Sequence, residues 1–214
     1  MHATVPWRDV STQVGTARVR LEAPEGSRGL LVLGHGAGGG VEAPDLLAAR
    51  DAAHACGLAV ALVEQPWRVA GRRVAEAPPR LDVAWTAVLE ALRQGAAPTG
   101  PLVLGGRSSG ARVACRTATA LGADAVLALA FPLEPPGSGR SRLAELRLPE
   151  VPRLVVQGDR DAFGCPRSQD GVQVHLVRGA DHSFGVRRAD GRSRAEVVAE
   201  VRDAVRRWLA QTLT

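Results

Sequence analysis

Continuous apolar runs that alternate with helical patterns constrain the fold of this 214-residue chain more than any other feature. Residues 29–34 (GLLVLG) and 58–63 (LAVALV) carry no charged side chain, which is typical of strands buried on both faces of a parallel sheet. Residues 81–94 and 194–213 instead place their apolar side chains at helical spacing. This alternation predicts an α/β protein with a mostly parallel sheet and helices on both faces.

The other segments continue the same series. Further strands are predicted at 101–105, 125–131, 153–156 and 172–177, and further helices at 45–56 and 111–121. Residues 14–21 alternate between polar and apolar side chains, which predicts an edge strand, and proline and glycine make 65–79 a predicted loop. We see no linker or repeat, so we expect one domain over residues 1–214, with no room for a lid domain within 132–152.

A G-x-S-x-G motif, Gly106-Arg-Ser-Ser-Gly110, follows an apolar strand and precedes a helix. A tight strand-to-helix turn strains the backbone of its central serine and exposes the hydroxyl. Strand and helix then pass so closely that small residues are needed two positions before and after the serine. The motif therefore predicts Ser108 as a nucleophile. Ser109 is the rival hydroxyl, but it lies off the centre of the glycine frame.

A serine nucleophile needs a general base, and the base needs an acid that orients it. His182 follows the last predicted strand and comes after the serine and the acid in the chain order that the motif requires. His35, in a glycine-rich loop, is the less favoured base. Asp161 is the preferred acid because it lies further into its loop. Asp159 remains an alternative, although it could cap the turn through the backbone instead.

Acyl transfer also requires backbone N–H groups that stabilise the developing oxyanion. One donor is expected from the residue after the nucleophile, Ser109. The second is expected from the glycine-rich loop at 34–40, where we nominate the N–H of Ala37.

Five segments together resemble the α/β-hydrolases, and in particular their compact dienelactone-hydrolase-like branch. They are residues 33–39 (LGHGAGG), 105–112 (GGRSSGAR), 131–137 (FPLEPPG), 156–164 (VQGDRDAFG) and 180–184 (ADHSF). The resemblance implies a single-domain α/β-hydrolase fold without a lid and a Ser-His-Asp triad on Ser108, His182 and Asp161. Enzymes that open dienelactones use a cysteine nucleophile, so that substrate is not implied. The expected activity is cleavage of a small acyl ester or thioester through an acyl-enzyme.

The charge and composition argue against several other classes. The net charge is +5, but all 27 basic residues are arginines interleaved with 22 acids, and only 3% of residues are aromatic, so we expect no nucleic-acid partner. No apolar run reaches the ~20 residues needed to span a bilayer, and no signal peptide is visible, so we expect no membrane partner and a cytoplasmic protein. Three widely spaced cysteines predict no metal site, and we expect no cofactor.

Four residues in loops near the expected site are weaker candidates for contacts with a small acyl substrate: His35, Trp67, Arg72 and Arg73. The two arginines could recognise a carboxylate or phosphate, although a solvated loop is the simpler interpretation. The apolar stripe of the C-terminal helix is expected to pack in the core of a monomer, or less favourably to form a homodimer contact.

Two other functions compete with the hydrolase hypothesis. Gly34, Gly36 and Gly39 spell G-x-G-x-x-G after a strand, and Glu64 ends the next strand, as in a dinucleotide-binding domain. Against this, Pro44 suggests that the helix begins after the glycine motif instead of within it. The other alternative is a non-catalytic interaction module on the same fold, in which His182 would lie far from Ser108.

Overall fold

The computed structural model describes residues 5–95 and 97–213. Its framework is an eight-stranded sheet in the order β1-β2-β4-β3-β5-β6-β7-β8. The strands are β1 Arg8–Thr12, β2 Gly15–Glu22, β3 Gly29–Gly34, β4 Leu58–Glu64, β5 Leu102–Arg107, β6 Ala125–Leu129, β7 Arg153–Gly158 and β8 Gln173–Val177. Strands β3 to β8 pair in parallel, and β1 and β2 are antiparallel to their neighbours. The predicted fold class is confirmed.

Helices cover both faces of the sheet. They are α1 Pro44–Ala55, α2 Pro66–Val69, α3 Pro78–Arg93, α4 Ser109–Thr117, α5 Leu143–Arg147 and α6 Arg194–Thr212. One buried cluster packs α3 and α4 on the first face, where Trp85 is fully buried. A second cluster packs α1 and α6 on the opposite face, where Trp208 lies against buried leucines and valines. Because central strands contribute to both clusters, most of their side chains are apolar on both faces.

Two predictions about individual segments were wrong, and some elements were not predicted. The strand predicted at 14–21 is not an edge strand, because β1 pairs with it from Arg8↔Val19 to Thr12↔Gly15. The predicted loop at 65–79 contains α2 and the start of α3, since prolines occupy the first turns of both helices, where a missing N–H costs nothing. Residues 143–147, for which no element was predicted, form α5.

The carboxyl ends of the parallel strands meet along one edge of the sheet, where ligands bind in such folds. The segments that follow β3, β4, β5, β7 and β8 gather there and carry every predicted site residue, with Trp67 in α2 and Ser109 at the start of α4. Between β6 and β7 the structure has only loops and the short α5, so no lid domain covers this edge. Within the described residues, no helix is long and apolar enough to cross a membrane.

Candidate active site

Ser108 occupies a sharp turn between β5 and α4. Its backbone has φ 51° and ψ −108°, which is a strained conformation for a residue with a side chain. Its N–H donates to the Leu129 carbonyl at 2.9 Å, and the next residue already begins α4. A Cβ at Gly106 would lie only 2.5 Å from the Gly34 carbonyl oxygen, and one at Gly110 would overlap that same oxygen. The glycine frame of the motif is therefore required by close packing against β3.

The structure brings Ser108, His182 and Asp161 into one hydrogen-bonded chain. The Nε2 atom of His182 lies 3.0 Å from the Ser108 Oγ, and its Nδ1 lies 2.7 Å from an Asp161 Oδ2. The Asp161 side chain is fully buried, whereas the His182 side chain is 23% exposed. With Asp161 ionised, Nδ1–H donates to the carboxylate, so Nε2 is free to accept the serine proton.

The surroundings of Asp161 fix its carboxylate in place. Its Oδ1 accepts from the Phe163 N–H at 2.8 Å, and its Oδ2 accepts from the Gln157 side-chain amide at 2.7 Å. Asp159, the alternative acid, instead accepts from the Gly179 N–H at 2.7 Å and so joins the loops after β7 and β8. The structure therefore places Asp161, and not Asp159, against His182.

The proposed oxyanion donors belong to two segments next to Ser108. Ser109 is the first residue of α4, and its N–H therefore has no acceptor within the helix. In the other segment, a Cβ at Gly36 would lie 3.5 Å from the Ser108 Cβ, so the glycine-rich loop packs against the elbow. The Gly36 carbonyl accepts from His35 Nδ1 at 2.8 Å. In a trans peptide this turns the Ala37 N–H away from His35.

His35 and Trp67, two of the candidates for substrate contacts, are both buried. Both ring nitrogens of His35 are occupied, because Nδ1 donates to Gly36 and Nε2 accepts from the Gln65 N–H at 3.1 Å. Burial lowers the pKa of His35, which keeps the ring neutral. The Trp67 ring packs on His35 with centroids 5.4 Å apart and is itself buried. Both side chains are therefore packed in the interior, and the polar atoms of His35 are already hydrogen-bonded.

Arg72 and Arg73 line a cleft of about 350 Å³ beside the candidate oxyanion loop. Ala37, Gly38, Arg68 and Gly71 complete its lining. Arg72 pairs with Glu76 at 3.0 Å, and Glu76 also pairs with Arg80. Within residues 5–95 and 97–213, Arg68 and Arg73 have no carboxylate partner, so the cleft carries excess positive charge.

A larger cavity, of about 700 Å³, lies at the opposite edge of the sheet. Its lining includes Gly57 and Leu58 at the start of β4 and Leu209 near the end of α6. It is remote from Ser108, so a search for the active site by cavity size alone would have placed the site at the opposite edge of the sheet. The chemistry-bearing side chains lie at the carboxyl ends of the strands instead.

Comparison with known families identifies the fold family. The sequence model of a family described as an alpha/beta hydrolase domain matches residues 27–210. This chain belongs to the α/β-hydrolase family. A comparison with curated proteins found no match.

Solved structures share the architecture of this α/β-hydrolase over nearly its full length. An alpha-beta serine hydrolase homologue from Coxiella burnetii has a TM-score of 0.76 at 20% identity, covering 98% of this chain and 100% of that one. A serine hydrolase without a lid from Xanthomonas campestris has a TM-score of 0.71 at 21% identity, covering 97% and 96%. A dienelactone hydrolase from Anabaena variabilis has a TM-score of 0.73 at 17% identity, covering 99% and 100%. At these identities the likeness establishes the fold.

Two contributors to the site of this α/β-hydrolase escaped the sequence analysis. Gln157 is fully buried at the end of β7, where its Nε2 also lies 2.9 Å from the Gly164 carbonyl oxygen and 3.2 Å from that of Phe131. Phe163 stacks on the His182 ring with centroids 4.4 Å apart. For Gln157 the sequence did contain a signal, since it is a lone polar residue at the end of an apolar strand, immediately before the loop that carries the acid. A polar side chain that is buried in a strand needs hydrogen-bond partners nearby.

The cysteine nearest to the site does not compete with Ser108. Cys165 follows the acid loop, and burial together with the charge of Asp161 raises the pKa of its thiol to about 11. At neutral pH this side chain is therefore a thiol and not a thiolate, which is the nucleophilic form. Cys115 is buried in the core, with a pKa raised by burial to about 12.

Proposed function

We propose that this α/β-hydrolase is a serine hydrolase that cleaves a small acyl ester or thioester through a Ser-His-Asp triad and an acyl-enzyme. The observation that carries the proposal is the 3.0 Å contact between His182 Nε2 and Ser108 Oγ, with Asp161 2.7 Å from the other ring nitrogen. The family is one of hydrolases, which supports hydrolysis as the class of reaction.

The reaction has two halves. The Ser108 Oγ attacks the carbonyl carbon while His182 takes the hydroxyl proton, and the N–H groups of Ser109 and Ala37 stabilise the oxyanion. The tetrahedral intermediate collapses, and His182 returns the proton to the departing alcohol or thiol. Water, deprotonated by His182, then attacks the acyl-enzyme, releases the acid and restores the serine hydroxyl.

The geometry also bears on the two competing hypotheses. A non-catalytic interaction module would not need a strained serine in hydrogen-bond contact with an oriented imidazole. A dinucleotide site would need a helix that opens within the glycine motif, but α1 begins at Pro44. Its expected ribose-binding acid, Glu64, is instead paired with Arg18 at 2.7 Å.

The arginine-lined cleft suggests which esters this enzyme prefers. Arg72 and Arg73, joined by Arg68, surround a cleft that begins at Ala37, one of the proposed oxyanion donors. When the carbonyl oxygen of a substrate binds the Ala37 N–H, the chemical group next to that carbonyl extends toward the three guanidinium groups of the cleft. Arginine binds carboxylates and phosphates bidentately, so we expect a substrate that carries an acidic group.

The first experiment tests the triad with a matched pair of carboxylates. Folded protein is incubated with a fluorophosphonate probe and with short-chain nitrophenyl esters. We expect labelling at Ser108, none in S108A, and a fall in kcat of about 10⁴-fold in D161N because the imidazole loses its orienting acid. D159N removes a carboxylate two residues away that contacts Gly179 and not His182, so most activity should remain.

Two outcomes would contradict the proposal. Failure of the probe to modify Ser108 in folded wild-type protein would leave the serine without nucleophilic character. Equal losses in D159N and D161N would show that neither carboxylate acts on His182 specifically.

The second experiment tests the charge of the cleft. Nitrophenyl esters of butyric acid and of a dicarboxylic acid of similar length differ by one negative charge. In the double variant R68Q/R73Q we expect kcat/KM for the acidic ester to fall about tenfold or more, the loss expected for one charge-assisted hydrogen bond, with the neutral ester little changed. R207Q removes the charge of an exposed arginine on α6, outside the cleft lining, and serves as the control. Equal loss on both esters would argue against anion recognition.

A further inference from the structure

Arg107, the residue before the nucleophile, is bonded to the loop that carries His182. Its Nη2 donates to the His182 backbone carbonyl at 3.0 Å and to the Ser183 Oγ at 3.2 Å. The side chain leaves the end of β5 and is only 12% exposed. Two donated hydrogen bonds from one nitrogen therefore join the elbow directly to the backbone on which the imidazole is mounted.

A buried carboxylate provides the counter-charge for this arginine. Asp45, in the first turn of α1, lies with an Oδ2 3.3 Å from the Arg107 Nε, and its side chain is 4% exposed. The two atoms are not aligned for a hydrogen bond, so the contact is a pairing of charges. Burial raises the pKa of Asp45, and the Arg107 guanidinium opposes that rise. An arginine this deeply buried needs such a partner, because an unpaired charge in the interior is costly.

The same guanidinium also lies against the glycine-rich loop. A Cβ at Gly36 or Gly39 would lie 3.7 Å and 3.6 Å respectively from the Arg107 Nη1, so that loop passes beside the guanidinium at ordinary packing distance. Arg107 thus makes polar contacts with two separate segments, the start of α1 and the loop after β8, and lies beside the loop after β3. The planar guanidinium presents several donors in a fixed geometry, which suits partners that lie in different directions.

We infer that Arg107, paired with Asp45, is a positioning residue that holds the His182 loop in register with the Ser108 elbow. This inference rests on the proposed function for its effect on turnover. The physical reason is that His182 is mounted on a loop, whereas Ser108 is mounted on the sheet. A displacement of the imidazole by about 1 Å is enough to cost about 10²-fold in rate.

The test compares three variants of the full chain. R107M removes the charge and every donor at similar length, whereas R107K keeps the charge but loses the planar fork. R116M is the matched control: Arg116 is 13% exposed and pairs with Asp82 and Glu145 on α3 and α5, away from His182. It reports what the loss of a comparably buried arginine costs in fold stability alone.

Two readouts separate positioning from stability. Ring ¹⁵N NMR, with His182 assigned through H182Q, reports the tautomer of the neutral imidazole. We expect one tautomer, protonated on Nδ1, in wild type and R116M, and a mixture in R107M. Among the variants, kcat on a nitrophenyl ester should fall about 10²-fold in R107M with KM nearly unchanged, less in R107K, and little in R116M.

The inference is overturned if R107M keeps the wild-type tautomer and the wild-type kcat, or if R107M and R116M lose activity equally. Mixed tautomers in wild-type protein would also overturn it, because no fixed imidazole would then exist for Arg107 to hold. Wild-type protein that turns over no ester would count against the proposed function alone. The NMR comparison of R107M with R116M would still decide the positioning role.

Discussion

At the scale of single residues, the elbow depends on the absence of side chains as much as on the presence of one. Gly106 and Gly110 face the Gly34 carbonyl at distances that exclude a Cβ. The three glycines allow α4 to start immediately beside β3, and this closeness forces the strained φ of Ser108. The exposed hydroxyl therefore follows from backbone packing and not from any property of serine itself.

A pair of alanine substitutions tests this steric account. In G110A the new methyl group would overlap the Gly34 backbone, which cannot move without disturbing the β3–β5 pairing, so we expect a loss of about 3 kcal/mol or more in the free energy of unfolding. Gly38 lies in the nearby loop with open space around its Cβ position, so G38A should change stability by less than about 0.5 kcal/mol. Urea denaturation measures both. Similar stabilities for the two variants would refute the steric explanation.

At the scale of elements, a network of charges joins the three helices on one face. Arg112 on α4 makes two hydrogen bonds of 2.7 Å to Glu145 on α5. Arg116, one turn further along α4, bonds both Glu145 and Asp82 on α3. Arg112 therefore has a structural role. The short α5 is held by this network and by the buried Leu146.

The network predicts a pH-dependent contribution to stability. Burial opposes ionisation of Glu145, but the hydrogen bonds and charges of Arg112 and Arg116 prevail, so the pKa of Glu145 is lowered. A carboxylate with a lowered folded pKa stabilises the protein above its unfolded pKa, and the contribution is lost as the pH falls through the folded value. E145Q should therefore lower the free energy of unfolding by about 1–2 kcal/mol at pH 7, after allowance for solvent screening.

The difference between wild type and E145Q should shrink as the pH is lowered below the ordinary glutamate value of 4.5. Chemical denaturation at successive pH values measures it. E150Q, a change at an exposed glutamate outside the network, should stay within about 0.5 kcal/mol of wild type throughout. A difference for E145Q that persists unchanged into acid would show that the stabilisation does not come from the ionised carboxylate.

At the scale of the whole molecule, the site is assembled from loops that are far apart in the chain. Ser108 follows β5, Asp161 follows β7 and His182 follows β8, whereas the oxyanion loop follows β3. Parallel pairing in the order β3-β5-β6-β7-β8 brings all these strand ends to one edge of the sheet. The sheet supplies rigidity, and the loops supply the reacting groups. Arg107 connects the two, because it ends β5 and donates a hydrogen bond to the loop that carries His182.

Some features could be read from local patterns. Central strands such as β3 and β4 are continuous apolar runs, and their predicted bounds agree with the structure to within one residue. Strand β1 could not be predicted, because its residues Arg8–Thr12 are mostly exposed at the edge of the sheet and carry no apolar run. The helix α2 has only four residues, and Pro66 and Gly71, which usually interrupt helices, favoured the prediction of a loop.

The sequence by itself determined the strands of the core, the glycine frame of the elbow, and the chain order of serine, acid and histidine. These features follow from the types of residues and from their order along the chain, so they can be recognised without knowing how distant segments pack. Only the tertiary structure decided that Asp161 and not Asp159 faces His182, that His35 and Trp67 are buried, and that Gln157 and Arg107 support the site. Each of these depends on where another segment packs, because a hydrogen bond or a buried contact joins residues that sheet order, and not chain order, makes neighbours.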